Sequence, residues 1–164
     1  MPDDQTAAAP PRKRAVRAIH AASLLVHRAR GGGTEVLMGM RGNKHKFMPN
    51  RLVFPGGRVD RADLTAQPGA PLAPHTERNL RRSANPDLAR GLGIAAAREL
   101  EEETGLVLAD APGAAPRLDR LWYLARAVTP PTNPIRYNAR FLTAHADGTS
   151  GDIDLAHVNW GNYD

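Results

Sequence analysis

The stretch "AAARELEEETGLVL" (95–108) holds four glutamates within five positions, Glu99 and then Glu101, Glu102 and Glu103. Like charges three or four residues apart on a helix repel. Gly105, a residue type that stops helices, follows almost at once. The acids therefore fall in the last turns, where the helix dipole already carries partial negative charge. One reading is a solvated acidic helix end. The other is a site for a hard divalent cation, which takes carboxylate and water oxygens.

Helical geometry sorts the four. At about 100° per residue, with Glu99 at the origin, Glu102 falls near 300° and Glu103 near 40°. Three carboxylates then share an arc of roughly 100°, while Glu101, near 200°, points elsewhere. Leu100 and Ala97 form an apolar flank that can pack on a sheet. Upstream, "FPGG" (54–57) sets a double glycine after a short apolar run. Such a pair lets backbone approach another group closely, and Gly56 can offer its carbonyl oxygen as a ligand.

The elements that must position these groups can be read coarsely. "RAIHAASLLVHR" (17–28) and "TEVLMGMR" (34–41) read as strands joined through "ARGGG". "RLVFPGGRV" (51–59) is a short strand broken by Pro-Gly-Gly, and residues 60–84 form an inserted loop with a short basic helix at 74–82. Asn85 suits an N-cap, Pro86 the first helical position and Gly105 the stop of the acidic helix. Gly91 and Gly93 each cost about 1 kcal/mol against alanine, so its first half is expected to be irregular. "RLWYLARAVTP" (120–130), "IRYNARFLTAHA" (135–146) and "IDLAHVNW" (153–160) complete the strands, giving an α+β fold.

Composition bounds the function. The 164 residues suit a single domain over 15–164 after a disordered basic tail at 1–14. The absence of cysteine excludes disulfides, thiolate zinc sites and cysteine nucleophiles. No apolar run reaches the roughly 20 residues that span a bilayer, and the start lacks a secretory apolar stretch. A cytoplasmic protein is expected. The net charge of +5 is spread along the chain without a recognised nucleic-acid-binding pattern, so phosphates of small molecules fit it better than nucleic acid.

The chain resembles the Nudix hydrolases, whose signature is G-x5-E-x7-R-E-U-x-E-E-x-G-U, with U aliphatic. Arg98, Glu99, Leu100, Glu102, Glu103, Gly105 and Leu106 match its second half, and Gly57 matches its opening glycine. Gly57 and Arg98 stand 41 positions apart, where the motif has 14, which requires an insertion of about 27 residues. Counting forward from Gly57 puts Asp63 at the motif's first glutamate; counting back from Arg98 puts Arg90 there. Asp63 can serve chemically, so the insertion is expected after it.

The resemblance implies a Nudix-type α/β/α sandwich around a mixed sheet, with one catalytic helix. It implies a diphosphohydrolase using Mg2+ or Mn2+, with Glu99, Glu102 and Glu103 as metal ligands assisted by the Gly56 carbonyl. Arg98 would orient a carboxylate. The general base stays open between Glu99 and a later acid, of which Asp147, Asp152 and Asp154 are available.

For the substrate, "LMGMRGNKHKFMPNRLVFPGG" is partly similar to a stretch of the coenzyme A diphosphatases. Arg41 lies in register with its first arginine; Lys46 stands for the second and Asn50 for a glycine. Arg41, Lys46, Arg136 and Arg140 are the candidate phosphate ligands, and Trp122, Tyr123 and Tyr137 are candidates for base stacking or for the core. Coenzyme A or acyl-CoA is the first expectation, ahead of NADH, nucleotide sugars or other dinucleotides. A non-catalytic nucleotide-binding module is the competing class. After the last strand no segment remains for the family's usual C-terminal helix, and the apolar sheet face thereby left uncovered suggests a homodimer.

Overall fold

The structure is a computed structural model that describes residues 16–40, 52–153 and 158–161. The expected tail at 1–14 and the basic loop with Arg41 and Lys46 lie outside the described residues. The strands are β1 (Ile19–Arg30), β2 (Gly33–Met40), β3 (Leu52–Val53), β4 (Gly56–Arg58), β5 (Trp122–Val128), β6 (Tyr137–His145) and β7 (Val158–Gly161). The helices α1 (Pro74–Arg81) and α2 (Pro86–Thr104) lie between β4 and β5. The α+β class and the mixed sheet are those expected.

The sheet runs β3-β2-β1-β6-β5, with β4 beside β1 and β7 beside β2. β1 and β6 pair in parallel over nine residues, from Ile19 opposite Tyr137 to His27 opposite His145. The other edge of β1 is shared. Its C-terminal half pairs with β2 through a turn in which Gly31 and Gly32 take φ of 59° and 84°, a region that favours glycine. Its N-terminal half, Ala21 to Ser23, pairs with β4. The double glycine is thereby fixed against the middle of the sheet.

Alternation along β1 and β6 gives the sheet two unlike faces. Ala22, Leu24 and Val26 of β1, with Leu142 and Ala144 of β6, are buried and pack with Leu80 of α1 and Leu92, Ala96 and Leu100 of α2. On the other face Ile19 and Tyr137 lie opposite each other and are 43% and 39% exposed. Both helices thus belong to one core on one side of the sheet. Among the described residues, no helix is long and apolar enough to cross a membrane.

α2 begins and ends where its punctuation predicts. Asn85 accepts a hydrogen bond from the Leu88 N–H at 2.8 Å, Pro86 occupies the first turn, and Gly105 closes the helix at φ 77°. Its first half, however, is regular helix, contrary to the expectation drawn from Gly91 and Gly93. Those glycines are contact points. A Cβ on Gly91 would stand 2.8 Å from the Leu64 side chain, and one on Gly93 would stand 3.1 Å from Leu118. Close packing there outweighs the propensity cost.

The inserted segment is tied down at several points. The Gly69 N–H donates to the Pro116 carbonyl, the Thr76 hydroxyl donates to the Leu121 carbonyl at 2.6 Å, and Leu80 is fully buried. α1 falls within one residue of the helix predicted at 74–82. The last predicted strand (153–160) appears as β7, with residues 154–157 outside the described residues.

Candidate active site

β4 and the C-terminal turns of α2 meet over the middle of β1. Gly56 lies so close to β1 that a Cβ on it would stand 2.5 Å from the Ala22 carbonyl oxygen. A Cβ on Gly57 would stand 2.3 Å from Glu99 Oε1. The first glycine lets the strand dock, and the second makes room for a carboxylate. From the other side the Gly56 N–H donates to Glu103 Oε2 at 3.1 Å. Two of the glutamates are therefore gathered at the Gly-Gly bend.

Arg98 links the rest. Its Nε and Nη2 donate to the two oxygens of Asp63 at 3.1 Å each, a two-pronged pairing that matches guanidinium to carboxylate geometry. Nη1 donates to Glu99 Oε1 at 2.8 Å and to Glu102 Oε2 at 3.1 Å, and Nη2 also reaches the Arg58 carbonyl. The hydrogen bonds that Arg98 donates to Asp63, and then to Glu99, raise its pKa against the opposing effect of burial. Its charge is permanent.

Asp63, only 2% exposed, also accepts the Asp60 N–H at 2.8 Å. Arg90, the other residue reached by counting, instead donates to the Leu64 carbonyl and pairs with Asp87. It is Asp63, then, that sits with Arg98.

Glu102 is more open than Glu99: their side chains are 57% and 14% exposed. Glu101 departs from the group, as the helical wheel requires. It lines a cavity of about 150 Å3 with Ile94, Ala97, Arg98 and Val107. Among the described residues, no three His, Asp or Glu side chains are already gathered closely enough to hold a metal ion. The reason is visible in the bonds. Arg98 Nη1 bridges Glu99 and Glu102, while Glu103 is turned onto the Gly56 N–H. The expected convergence is thus partial: the carboxylates share one neighbourhood without sharing one point.

The donor set suits a hard cation. It consists of carboxylates, no basic residue stands in the last turn of α2, and Arg98 pairs with both Glu99 and Glu102. Of the later acids, Asp147 pairs with His145 at 3.2 Å, Asp152 is exposed, and Asp154 lies outside the described residues.

Of the candidate phosphate ligands, the two among the described residues, Arg136 and Arg140, are not brought to this place. Arg136 donates to the Thr129 and Val16 carbonyls at the start of β6. Arg140 is fully buried and bound to internal acceptors. Trp122 is 58% exposed and lies against His75, with ring centres 3.8 Å apart, while Tyr123 packs on the core. The role of Ser83 as a partner of Arg140 was not anticipated, because nothing in a loop sequence marks which strand it will meet.

No family model and no curated protein matches the chain. Solved structures do. A Nudix hydrolase from Alicyclobacillus acidocaldarius superposes with a TM-score of 0.65 at 25% identity, over 88% of this chain and 78% of that one. A MutT/Nudix family protein from Enterococcus faecalis gives 0.52 at 16% identity, over 92% of this chain and 46% of that one. The Nudix domain of Shewanella oneidensis NrtR, solved with ADP ribose, gives 0.51 at 14%, over 88% and 73%. The last two bear on the fold alone. In fold and in the signature on its helix the chain is similar to the Nudix hydrolases.

Proposed function

We propose that the chain, as one domain over residues 15–164, hydrolyses the diphosphate linkage of a nucleoside diphosphate derivative with a divalent cation, Mg2+ or Mn2+. The observation that carries this is the placement of Glu99 and Glu103 at the Gly56–Gly57 bend, with Glu102 joined to Glu99 through Arg98. Glu99, Glu102 and Glu103, with the Gly56 carbonyl, would hold the cation. When bound, it supplies charge neutralisation for the diphosphate and a more acidic water.

The chain's own residues do the remaining work. Arg98, anchored by Asp63, sets the direction of the Glu99 and Glu102 carboxylates. The proton acceptor is Glu99, the least exposed of the three, or one of the later acids Asp147, Asp152 and Asp154. The glycines leave the bend bare of side chains, so a phosphoanhydride can approach the backbone.

Within that class, coenzyme A or acyl-CoA is the first substrate to test. That choice rests on the sequence register of Arg41 and Lys46, which lie outside the described residues. NADH, nucleotide sugars and ADP ribose, the ligand of the Shewanella domain, are the second group. The reading extends to a cytoplasmic protein and to a homodimer through the exposed Ile19 and Tyr137 face, which elution as a monomer at micromolar concentration would refute.

The decisive experiment is a panel of these diphosphates with Mg2+ or Mn2+, with products resolved to show which P–O bond breaks. Metal-dependent release that disappears in Glu102→Gln and Glu103→Gln supports the reading. Binding without turnover would instead make the chain a nucleotide-binding module.

A further inference from the structure

A row of four residues crosses the sheet on its helix-covered face: Gly57 of β4, Ala22 of β1, Arg140 of β6 and Arg126 of β5, each directly opposite the next. The row starts under the acidic site and ends with two arginines side by side. Like charges in opposed positions on neighbouring strands are destabilising. Beside them on the same face, His20 lies opposite Asn138.

Arg140 is fully buried, and every partner it has is neutral. Nη1 donates to the Asn138 carbonyl at 2.8 Å and faces His20 Nδ1 at 3.2 Å, while Nη2 donates to the carbonyl and hydroxyl of Ser83. Its Nε has no partner among the described residues. Arg126 is exposed and uses its Nε on the Asn138 side-chain oxygen at 2.8 Å, which leaves the outer edge of its guanidinium available. A buried cation held without a counter-charge is costly. Burial, and then Arg126, push the Arg140 pKa down, and burial with Arg140, Arg17 and Arg126 does the same to His20. Arg126 acts against the charge of both groups, and Tyr123 opposes it only in part at Arg140.

We propose that this corner is an oxyanion site, in which Arg126 holds a phosphate group directly and the buried Arg140 compensates it from beneath, with His20 and Arg17 at the rim. Two guanidinium groups suit a dianionic phosphate better than a single carboxylate. The phosphate is either free or part of an ester. Gly57 and Arg140 are separated by two strand spacings, roughly 10 Å, so the site lies near the acidic cluster without sharing its residues. It requires neither the metal nor hydrolysis, and therefore stands or falls apart from the function proposed above.

The test is thermal unfolding and calorimetric titration of the full chain in EDTA at constant ionic strength, with chloride exchanged for inorganic phosphate. In the native protein phosphate should raise Tm by about 3–6 °C at ten times its dissociation constant. Arg126→Ala should weaken phosphate at least tenfold. Arg126→Glu, which supplies the carboxylate internally, should abolish the phosphate effect and unfold in chloride no earlier than Arg126→Ala. A parallel titration with ADP identifies the source: ADP binding that also weakens in Arg126→Ala marks a site for phosphate esters, and ADP binding unchanged by it marks one for free phosphate. The proposal is overturned if phosphate gives no more stabilisation than chloride, or if Arg126→Ala binds it as tightly as the native chain.

Discussion

The two ends of the row that crosses the sheet handle surplus charge in opposite ways. At the β4 end, Glu99 and Glu103 are gathered at two glycines, and one guanidinium, Arg98, serves Asp63, Glu99 and Glu102 together. At the β5 end, Arg140 is held by carbonyls, a hydroxyl and an imidazole, with Arg126 opposite it. The first end has an internal counterion shared by several carboxylates; the second has neutral acceptors only. Folding alone explains neither surplus, because both local rules, like charges kept apart and buried charges paired, are broken within a few strands of each other.

The comparison is broken most sharply at the acidic end. Glu102→Gln or Glu103→Gln should lower metal-dependent turnover by roughly a hundredfold or more, with little change in Tm. A variant with near-native turnover would remove the glutamates from the proposed chemistry. The next largest effect falls on stability. Asp63→Ala leaves Arg98 without its two-pronged partner and should cost about 3 kcal/mol in urea unfolding, at the low end for a broken buried pair because Arg98 keeps other carboxylates. A loss well below 1 kcal/mol would show that Asp63 is not what holds Arg98.

Glycine substitutions sharpen the contrast between site and scaffold. Gly57→Ala puts a methyl group 2.3 Å from Glu99 Oε1, so it should displace that carboxylate, destabilise by about 1–3 kcal/mol and depress turnover. Gly93→Ala meets the flexible end of Leu118 at 3.1 Å, and about 1 kcal/mol of helix propensity offsets the contact, so stability should change little and turnover not at all. Equal activity losses in the two variants would deny Gly57 its special position.

The smallest effect is one of pH. His20 is held below its ordinary value of 6.5 by burial and then by Arg140. A histidine with a lowered folded pKa contributes stability that is complete above the unfolded value and lost as pH falls through the folded one. Tm should therefore decline below about pH 6.5. His20→Asn should flatten that decline only in part, since His27 is lowered by burial and shares its sign. A steeper decline in the variant would refute the assignment.

Much of the site was readable because it depends on one helix. Asn85, Pro86 and Gly105 fixed the ends of α2, and the 100° step separated Glu101 from the other three. Asp63 could be found by counting from Gly57, though only its contact with Arg98 decides against Arg90. What stayed hidden depends on residues far apart in the chain. Gly91 and Gly93 read as helix weakeners because Leu64 and Leu118, their contacts, are not neighbours in sequence. Arg140 read as a candidate phosphate ligand on a strand, although its alternation with Leu142 and Ala144 placed it on an inward row. Alternation tells which residues share a face, but which face is covered depends on where α1 and Ser83 come to rest.

Arg98 also joins two parts of the molecule that could otherwise respond separately. One guanidinium grips the acids of α2 and, through Asp63, the first residues of the inserted segment. If the proposed cation took up Glu99 and Glu102, that arginine would be left to Asp63, the Arg58 carbonyl and, at 4.0 Å, Asp60. By reciprocity, whatever loosens the segment at Asp63 would change the affinity for such a cation by the same factor. Loading the site and fastening the insertion are then two readings of a single equilibrium.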